Sequence, residues 1–224
     1  MKQVKKFPNV FEDGQGRRRI LATKNLIPGK KFFEERLIKK EGAEYREWDP
    51  TRSKLAAAIA KEISQIGFKE GDIVLYLGAS HGYTPSFVSD MIGRDGFMFA
   101  LDFAPVVVRD LVFLSEEREN MAPILGDALH PESYNERVSD VDIVFQDIAQ
   151  RDQVSIFVRN CKAFLKKGGF GLLAIKARSI DVSKKPKDIF REVRVELEKY
   201  MVIVDYRELA PFEKDHAFFV CKKS

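Results

Sequence analysis

Five short apolar runs in the chain lead, at their carboxyl ends, to residues able to bind a ligand or move a proton. The first, IVLYL, opens into Gly78-Ala79-Ser80-His81-Gly82, and the next four lead to Asp102, Asp127, Asp147 and Lys176. In an open α/β sheet, ligands bind beyond the carboxyl ends of the strands, so these residues would share one edge. Glycines there let the backbone approach a ligand, and Thr84-Pro85 suits a helix N-cap followed by proline at the first helical position. The glycine spacing is not GxGxxG, which disfavours a pyrophosphate cradle and a dinucleotide cofactor. A carboxylate such as Asp102 can hold the hydroxyls of a ribose in any nucleoside cofactor, and an aspartate after a strand can equally cap the next helix. A lysine and an aspartate on neighbouring strand ends, Lys176 and Asp147, suit the orientation and deprotonation of a hydroxyl.

The elements that must position these groups follow from the pattern. From residue 72 onward, the runs IVLYLG, FMFALD, MAPILGD, VDIVFQD and GLLAIKA read as buried parallel strands. Amphipathic helices lie between them, with Val154, Phe157, Val158, Cys161, Phe164 and Leu165 on one face, and Ile189, Phe190, Val193 and Leu197 on another. YMVIVDYRELA and HAFFVCK are joined by a loop too short for a crossover helix, so the last strand must run antiparallel. This predicts a doubly wound α/β sheet of seven strands, mostly parallel and closed by an antiparallel hairpin, the layout of Rossmann-like methyltransferases. Residues 1–50 read as a small antiparallel β domain and 51–224 as the α/β domain. SKLAAAIAKEISQIG, with Leu55, Ile59, Ile63 and Ile66 on one face and Gly67 as its stop, predicts a helix leading into the second part.

Composition bounds the function. The 224 residues are 45% hydrophobic and 32% charged, a folded composition with room for one full-sized core. No apolar run approaches the roughly 20 residues that cross a bilayer, and MKQVKKFPNVFEDG lacks a signal peptide's apolar core. The chain is expected to stay inside the cell, in the cytoplasm or, where the source has a nucleus, in the nucleolus. Cys161 and Cys221 sit in apolar stretches and read as reduced core thiols, and the three histidines have no metal-ligand spacing, so no metal is expected. Residues 1–48 carry 13 Lys and Arg against 7 Asp and Glu, a balance of +6 within a whole-chain charge of +4. Such a basic end faces either a polyanion or solvent.

The stretches ILATKNL (20–26), RSKLAAAI (52–59), YLGASHGYTPSFVSD (76–90), GDALHP (126–131), VDIVFQDIAQRDQ (141–153), LLAIKARSID (172–181) and KDHAFF (214–219) together resemble fibrillarin, in order and over nearly the whole chain. The resemblance implies a class I methyltransferase fold with a small N-terminal β domain, S-adenosylmethionine as methyl donor, and guide-directed 2′-O-methylation of ribose in ribosomal or transfer RNA. It implies a catalytic tetrad at Lys54, Asp147, Lys176 and His216, with Lys176 nearest the target hydroxyl, Asp147 beside it and the donor, and Lys54 and His216 in support. In such a tetrad Asp147 would hold Lys176 charged, while Lys54 and desolvation would push the other way. Without the resemblance, Lys54 reads as a solvated lysine and His216 as a surface histidine.

For the donor, the resemblance implies Gly78, Ala79, Gly82, Tyr83 and Thr84 around the methionine part and Asp102 and Phe103 at the ribose and adenine. It puts Asp127 and Ala128 at the adenine edge and Asp147 with Gln150 near the amino-acid end. Phe103 would stack on the base or, alternatively, be a core aromatic. The chain departs from the family in His81 and Tyr83, bulkier than the usual loop residues, and in Asp102 and Ala104, where a glutamate and a capping serine are usual; these departures would weaken donor binding.

Partners implied are a box C/D guide RNA, a Nop-domain scaffold protein and a kink-turn-binding ribosomal-like protein. The chain shows no RRM or KH signature of its own, which agrees with specificity supplied by base pairing. Two other readings are a donor-binding scaffold without activity and a class I methyltransferase for a protein or small molecule. The latter is disfavoured by DIAQ at 147–150, where amine methylators carry Asn/Asp-Pro-Pro-Tyr. If the basic end meets RNA, replacing Arg17, Arg18 and Arg19 with serine will flatten the salt dependence of RNA association by about 0.7–0.9 in log–log slope per lost phosphate contact. An unchanged slope would take these arginines out of the RNA's path.

Overall fold

A computed structural model describes residues 1–14 and 19–224. Arg17 and Arg18 lie outside the described residues; Arg19 pairs with Glu12 and stands 3.9 Å from Glu62.

The N-terminal part is a five-stranded antiparallel sheet of β1 (Lys2–Gln3), β2 (Val10–Asp13), β3 (Ile20–Lys24), β4 (Leu37–Lys40) and β5 (Ala43–Glu47), in the order β1-β2-β3-β5-β4. Its β4–β5 hairpin turns through Glu41 and Gly42, both at positive φ, the turn geometry that matches the twist of paired strands.

The larger sheet has seven strands: β6 (Ile73–Leu77), β7 (Phe97–Asp102), β8 (Met121–Leu125), β9 (Val141–Gln146), β10 (Leu165–Lys176), β11 (Val202–Glu208) and β12 (His216–Lys222). Their order is β11-β12-β10-β9-β6-β7-β8, and β12 is antiparallel to both neighbours, as the short last loop requires. Both faces of this sheet are covered. Along β6, Val74 and Tyr76 enter one core cluster while Leu75 and Leu77 enter the other. That is why these strands read as continuous apolar runs instead of alternating ones. One face carries α1 (Lys54–Ala60), α2 (Tyr83–Ile92) and the inner side of α3 (Pro105–Glu117). The other carries α4 (Gln153–Phe164) and α6 (Pro186–Leu197), with α5 (Ala177–Ile180) a single turn after β10. Cys161 and Cys221 are buried free thiols in this second core, and burial pushes the Cys221 thiol up to about 12.

Two local expectations are corrected. The first helix ends at Ala60, not at Gly67, and Ile63 and Ile66 reach the core from an irregular segment. Arg207 of β11 donates to the carbonyls of Lys61 and Glu62 at 3.2 and 3.1 Å, and Asp205 accepts the Ser64 N–H at 2.5 Å. These bonds capture the backbone groups that a longer helix would use, and Glu62 turns to φ +59°. Helix α2 is capped by Gly82 at φ +88°, not by Thr84, whose hydroxyl instead donates to Ser53 at 3.0 Å.

The N-terminal sheet is held to α2 by a buried ionic cluster. Arg46, with no solvent exposure, donates to Glu35 at 2.7 Å and to Asp90 of α2 at 2.8 Å. It also donates to the Ser86 hydroxyl, and its guanidinium lies 4.2 Å from the Phe87 ring centre. Asp90 further accepts from Thr23, Arg118 and the Leu26 N–H. Removing one member leaves buried charges uncompensated, so Arg46→Leu is expected to cost about 3–5 kcal/mol. A urea transition with a lower midpoint and unchanged slope would show it, and an unmoved midpoint would refute it.

Candidate active site

Asp147 follows β9 directly, and its main chain is fixed by neighbouring strand ends. Its N–H donates to the Leu77 carbonyl at 2.9 Å. Gly78, at φ +81°, sits so close that a Cβ there would lie 2.4 Å from the Asp147 carbonyl oxygen. Only glycine permits both that backbone conformation and that approach.

The Asp147 carboxylate faces Lys54, with Oδ1 3.0 Å and Oδ2 3.2 Å from Nζ. Lys54 is the first residue of α1, behind the cap Ser53, whose hydroxyl accepts the Ala56 N–H. Burial alone would lower the Lys54 pKa, but the charge and hydrogen bond of Asp147 outweigh it and raise it, so the ammonium is retained.

Lys176 ends β10 and lies directly across the ladder from His216, the first residue of β12. The Lys176 side chain is exposed and has no ion pair or side-chain hydrogen bond among the described residues. The Asp147 carboxylate is bonded to Lys54, and among the described residues no hydrogen bond or ion pair joins it to Lys176. The His216 Nδ1 is 2.6 Å from the Lys214 carbonyl, which can only accept, so Nδ1 carries the proton and Nε2 is left as the acceptor of the neutral ring. Burial, then the Lys54 charge, lowers the His216 pKa below its ordinary 6.5, only partly offset by the Lys214 carbonyl and the charges of Glu213 and Asp147.

Beside Asp147 opens a cleft of about 330 Å³ along the strand ends. Of the residues expected around a donor, Gly78, Asp102, Phe103, Asp127, Ala128, Asp147 and Gln150 line it. Asp102 accepts the N–H groups of Ser80 and Ala104 at 2.9 and 3.1 Å, which aligns both oxygens at the cleft wall. Phe103 is 68% exposed, so its core-aromatic reading fails and its ring is available at the cleft mouth.

The structure does not bring Ala79, Gly82, Tyr83 and Thr84 to the cleft wall. Helix α2 begins at Tyr83, and the hydroxyl of Thr84 in its first turn is bonded to Ser53. Ala79 is buried in the core, and a Cβ on Gly82 would meet Leu114 and Leu111 of α3. Tyr83 packs edge-on against Phe33 and Phe87 beneath the Arg52 guanidinium. Ser80, Leu101, Ile148, Ala149 and Ile156 line the cleft without having been singled out. Ser80, Leu101 and Ile148 adjoin residues of the strand ends and Ala149 adjoins Gln150, so adjacency is the signal for all but Ile156.

The fibrillarin family model matches residues 1–224. The chain belongs to the fibrillarin family. It is 50% identical over 222 residues to the fibrillarin-like rRNA/tRNA 2′-O-methyltransferase of Thermococcus sibiricus, covering 97% of each chain. Among solved structures it is similar to Aeropyrum pernix fibrillarin with natively bound S-adenosyl-L-methionine, with TM-score 0.90, 42% identity, and 98% and 96% of the two chains covered. It is also similar to fibrillarin in a fibrillarin/Nop5p complex, with TM-score 0.86, 36% identity, and 96% and 98% covered.

The departures from the fibrillarin pattern are placed by the same geometry. His81 turns out to Asp110 at 2.7 Å and Tyr83 packs toward Phe33, so neither bulky side chain enters the cleft. Ala104 caps α3 without a side-chain bond, but Asp102 takes up its N–H.

Folded His216 resists protonation, so it contributes stability above its unfolded pKa and loses it as pH falls through the lower folded value. Lys54→Met removes a positive neighbour and frees Asp147, so the His216 titration followed by NMR is expected below 6.5 in the wild type and to move upward in the variant. A midpoint that stays or falls would contradict this electrostatic coupling.

Proposed function

We propose that this chain transfers a methyl group from S-adenosylmethionine to a ribose 2′-hydroxyl of ribosomal or transfer RNA, as the catalytic subunit of a box C/D guide particle. The observation that carries the reading is the Lys54–Asp147 ion pair at the rim of the cleft, with Lys176 and His216 side by side on adjoining strands. The Thermococcus relative's name supports the reaction and the Aeropyrum structure supports the donor. The complex with Nop5p supports a Nop-domain partner. A guide RNA and a kink-turn-binding protein complete the particle on the strength of the family resemblance alone.

The cleft residues fit the donor. A volume of about 330 Å³ is within the range of small-molecule sites. Asp102 retains lone pairs for ribose hydroxyls beyond its two backbone bonds, Gly78 presents bare backbone, and Phe103 offers a ring face. Asp127 and Ala128 would meet the base edge, and Asp147 and Gln150 the amino-acid end. Bound there, S-adenosylmethionine supplies an electrophilic methyl on a sulfonium, open to in-line attack by oxygen.

The chain's own groups handle the hydroxyl. Lys176 either orients it as the ammonium or, as the neutral amine, takes its proton as the oxygen–carbon bond forms. Lys54, kept charged by Asp147, adds a fixed positive potential beside the developing alkoxide. His216, neutral at pH 7, adds a hydrogen-bond acceptor at Nε2 without a further cation.

In a particle reconstituted with scaffold protein, kink-turn-binding protein and guide RNA, mass spectrometry is expected to find one 2′-O-methylated nucleoside at the guided position. Lys176→Ala and Asp147→Ala are expected to lower the rate by about 10²–10⁴-fold, the range of a positioned acid or base, without unfolding the chain. A non-catalytic scaffold subunit would be indifferent to both substitutions.

A further inference from the structure

We infer that Gln153 is a positioning residue for methyl transfer, locking the backbone of Lys176 to the loop that walls the donor cleft. The inference rests on the functional reading above and deepens it. Gln153 is the first residue of α4 and is completely buried, an unusual setting for a glutamine. Its side chain turns back from the helix to the end of β10. There Oε1 accepts the Lys176 N–H at 3.2 Å and Nε2 donates to the Lys176 carbonyl at 3.3 Å. Nε2 also donates to the Gln150 carbonyl at 2.7 Å. Two carbonyl acceptors and one N–H donor fix the orientation of the amide without ambiguity.

Strand topology explains why an amide is needed. The β9–β10 ladder runs out at Leu173 and Gln146, because after Gln146 the chain leaves the sheet as the Asp147–Asp152 loop. On that side Lys176 therefore has no strand partner for its main-chain groups. The Gln153 amide acts as a one-residue substitute for a strand, meeting both the N–H and the carbonyl of Lys176. Gln146 closes the arrangement by donating from its own amide to the Gln153 carbonyl at 2.7 Å.

The consequence is mechanical. The Lys176 amine is exposed and makes no side-chain bond among the described residues, so its reach is set from its backbone. Gln150 and its neighbours Ile148 and Ala149 line the cleft. One buried side chain thus ties the group that meets the target hydroxyl to the wall that holds the donor, which fixes the distance between the two reactants. Misplacement by about 1 Å at such a site can cost on the order of 10²-fold in rate.

The test uses the reconstituted particle under single-turnover conditions at saturating donor, with substrate-RNA affinity, S-adenosylhomocysteine affinity and exchange of the Lys176 amide proton measured alongside. Gln153→Leu keeps the volume and removes all three bonds. It is expected to slow methyl transfer about 10–100-fold. RNA affinity should hold while donor-analogue affinity falls several-fold and the Lys176 amide loses protection. Gln153→Glu keeps an acceptor for the Lys176 N–H but loses both donors, and should show the same split; it carries the test if the leucine variant does not fold. A rate within twofold of wild type at saturating donor, in either folded variant, would overturn the inference. So would a loss confined to thermal stability. A wild-type particle without activity would instead speak against the proposed function, leaving amide exchange to report on the Gln153 bond itself.

Discussion

The geometry of this site depends first on a buried carboxylate far from it, Asp90. A charge taken out of water costs several kcal/mol unless its hydrogen-bonding capacity is met. Asp90 has four donors, from Thr23, Leu26, Arg46 and Arg118. Three of them belong to the N-terminal segment, so α2 cannot slide or turn against that sheet without stripping partners from a buried anion. Apolar contacts tolerate small slips, whereas directional bonds to a charge do not. Trp48 stacked on Phe87 at 5.0 Å adds a flat contact to the same seam.

A fixed α2 then sets the proposed catalytic groups by a short relay. Its first turn carries Thr84, which bonds to Ser53, and Ser53 caps the helix on which Lys54 is the first residue. The loop ahead of α2 contains Gly78, in contact with the Asp147 main chain. Both partners of the Lys54–Asp147 pair are thereby referred to one helix. This gives the small N-terminal sheet a role in the chemistry without any of its residues entering the cleft.

How much of this was legible in the sequence follows the range of the interactions. Strands β6 to β10 were visible because burial on both faces makes their runs predominantly apolar, and their order at one sheet edge assembled Asp102, Asp127, Asp147 and Lys176 without further information. The antiparallel β12 was legible from loop length. The length of α1 was not, because Arg207 and Asp205, more than 140 positions away, end it by capturing its backbone. Adjacency to Gly78 does not show which residues of the glycine loop line the cleft, because Ala79 packs into the core and Gly82 lies against α3. Arg46 and Gln153 gave no signal: an arginine in a β-strand and a glutamine at a helix start are ordinary surface residues until tertiary packing encloses them.

The contrast between the two lysines bears on why such a subunit would work within a particle. Lys54 is held by its carboxylate in a half-buried pair, so its charge acts through a medium that water penetrates little. Lys176 stands in solvent, where hydration screens its field and rotamer freedom spreads its position. Orienting a hydroxyl requires that this freedom be removed, at a cost of up to about 2 kcal/mol for a lysine side chain. The chain pins the Lys176 backbone through Gln153 but leaves the side chain loose, so the remaining order must come from the substrate itself. An RNA delivered at a set position would displace water from Lys176 and supply its missing partner in one event. The free subunit then carries a preorganised donor cleft and an incomplete acceptor side, which makes methyl transfer conditional on correct docking.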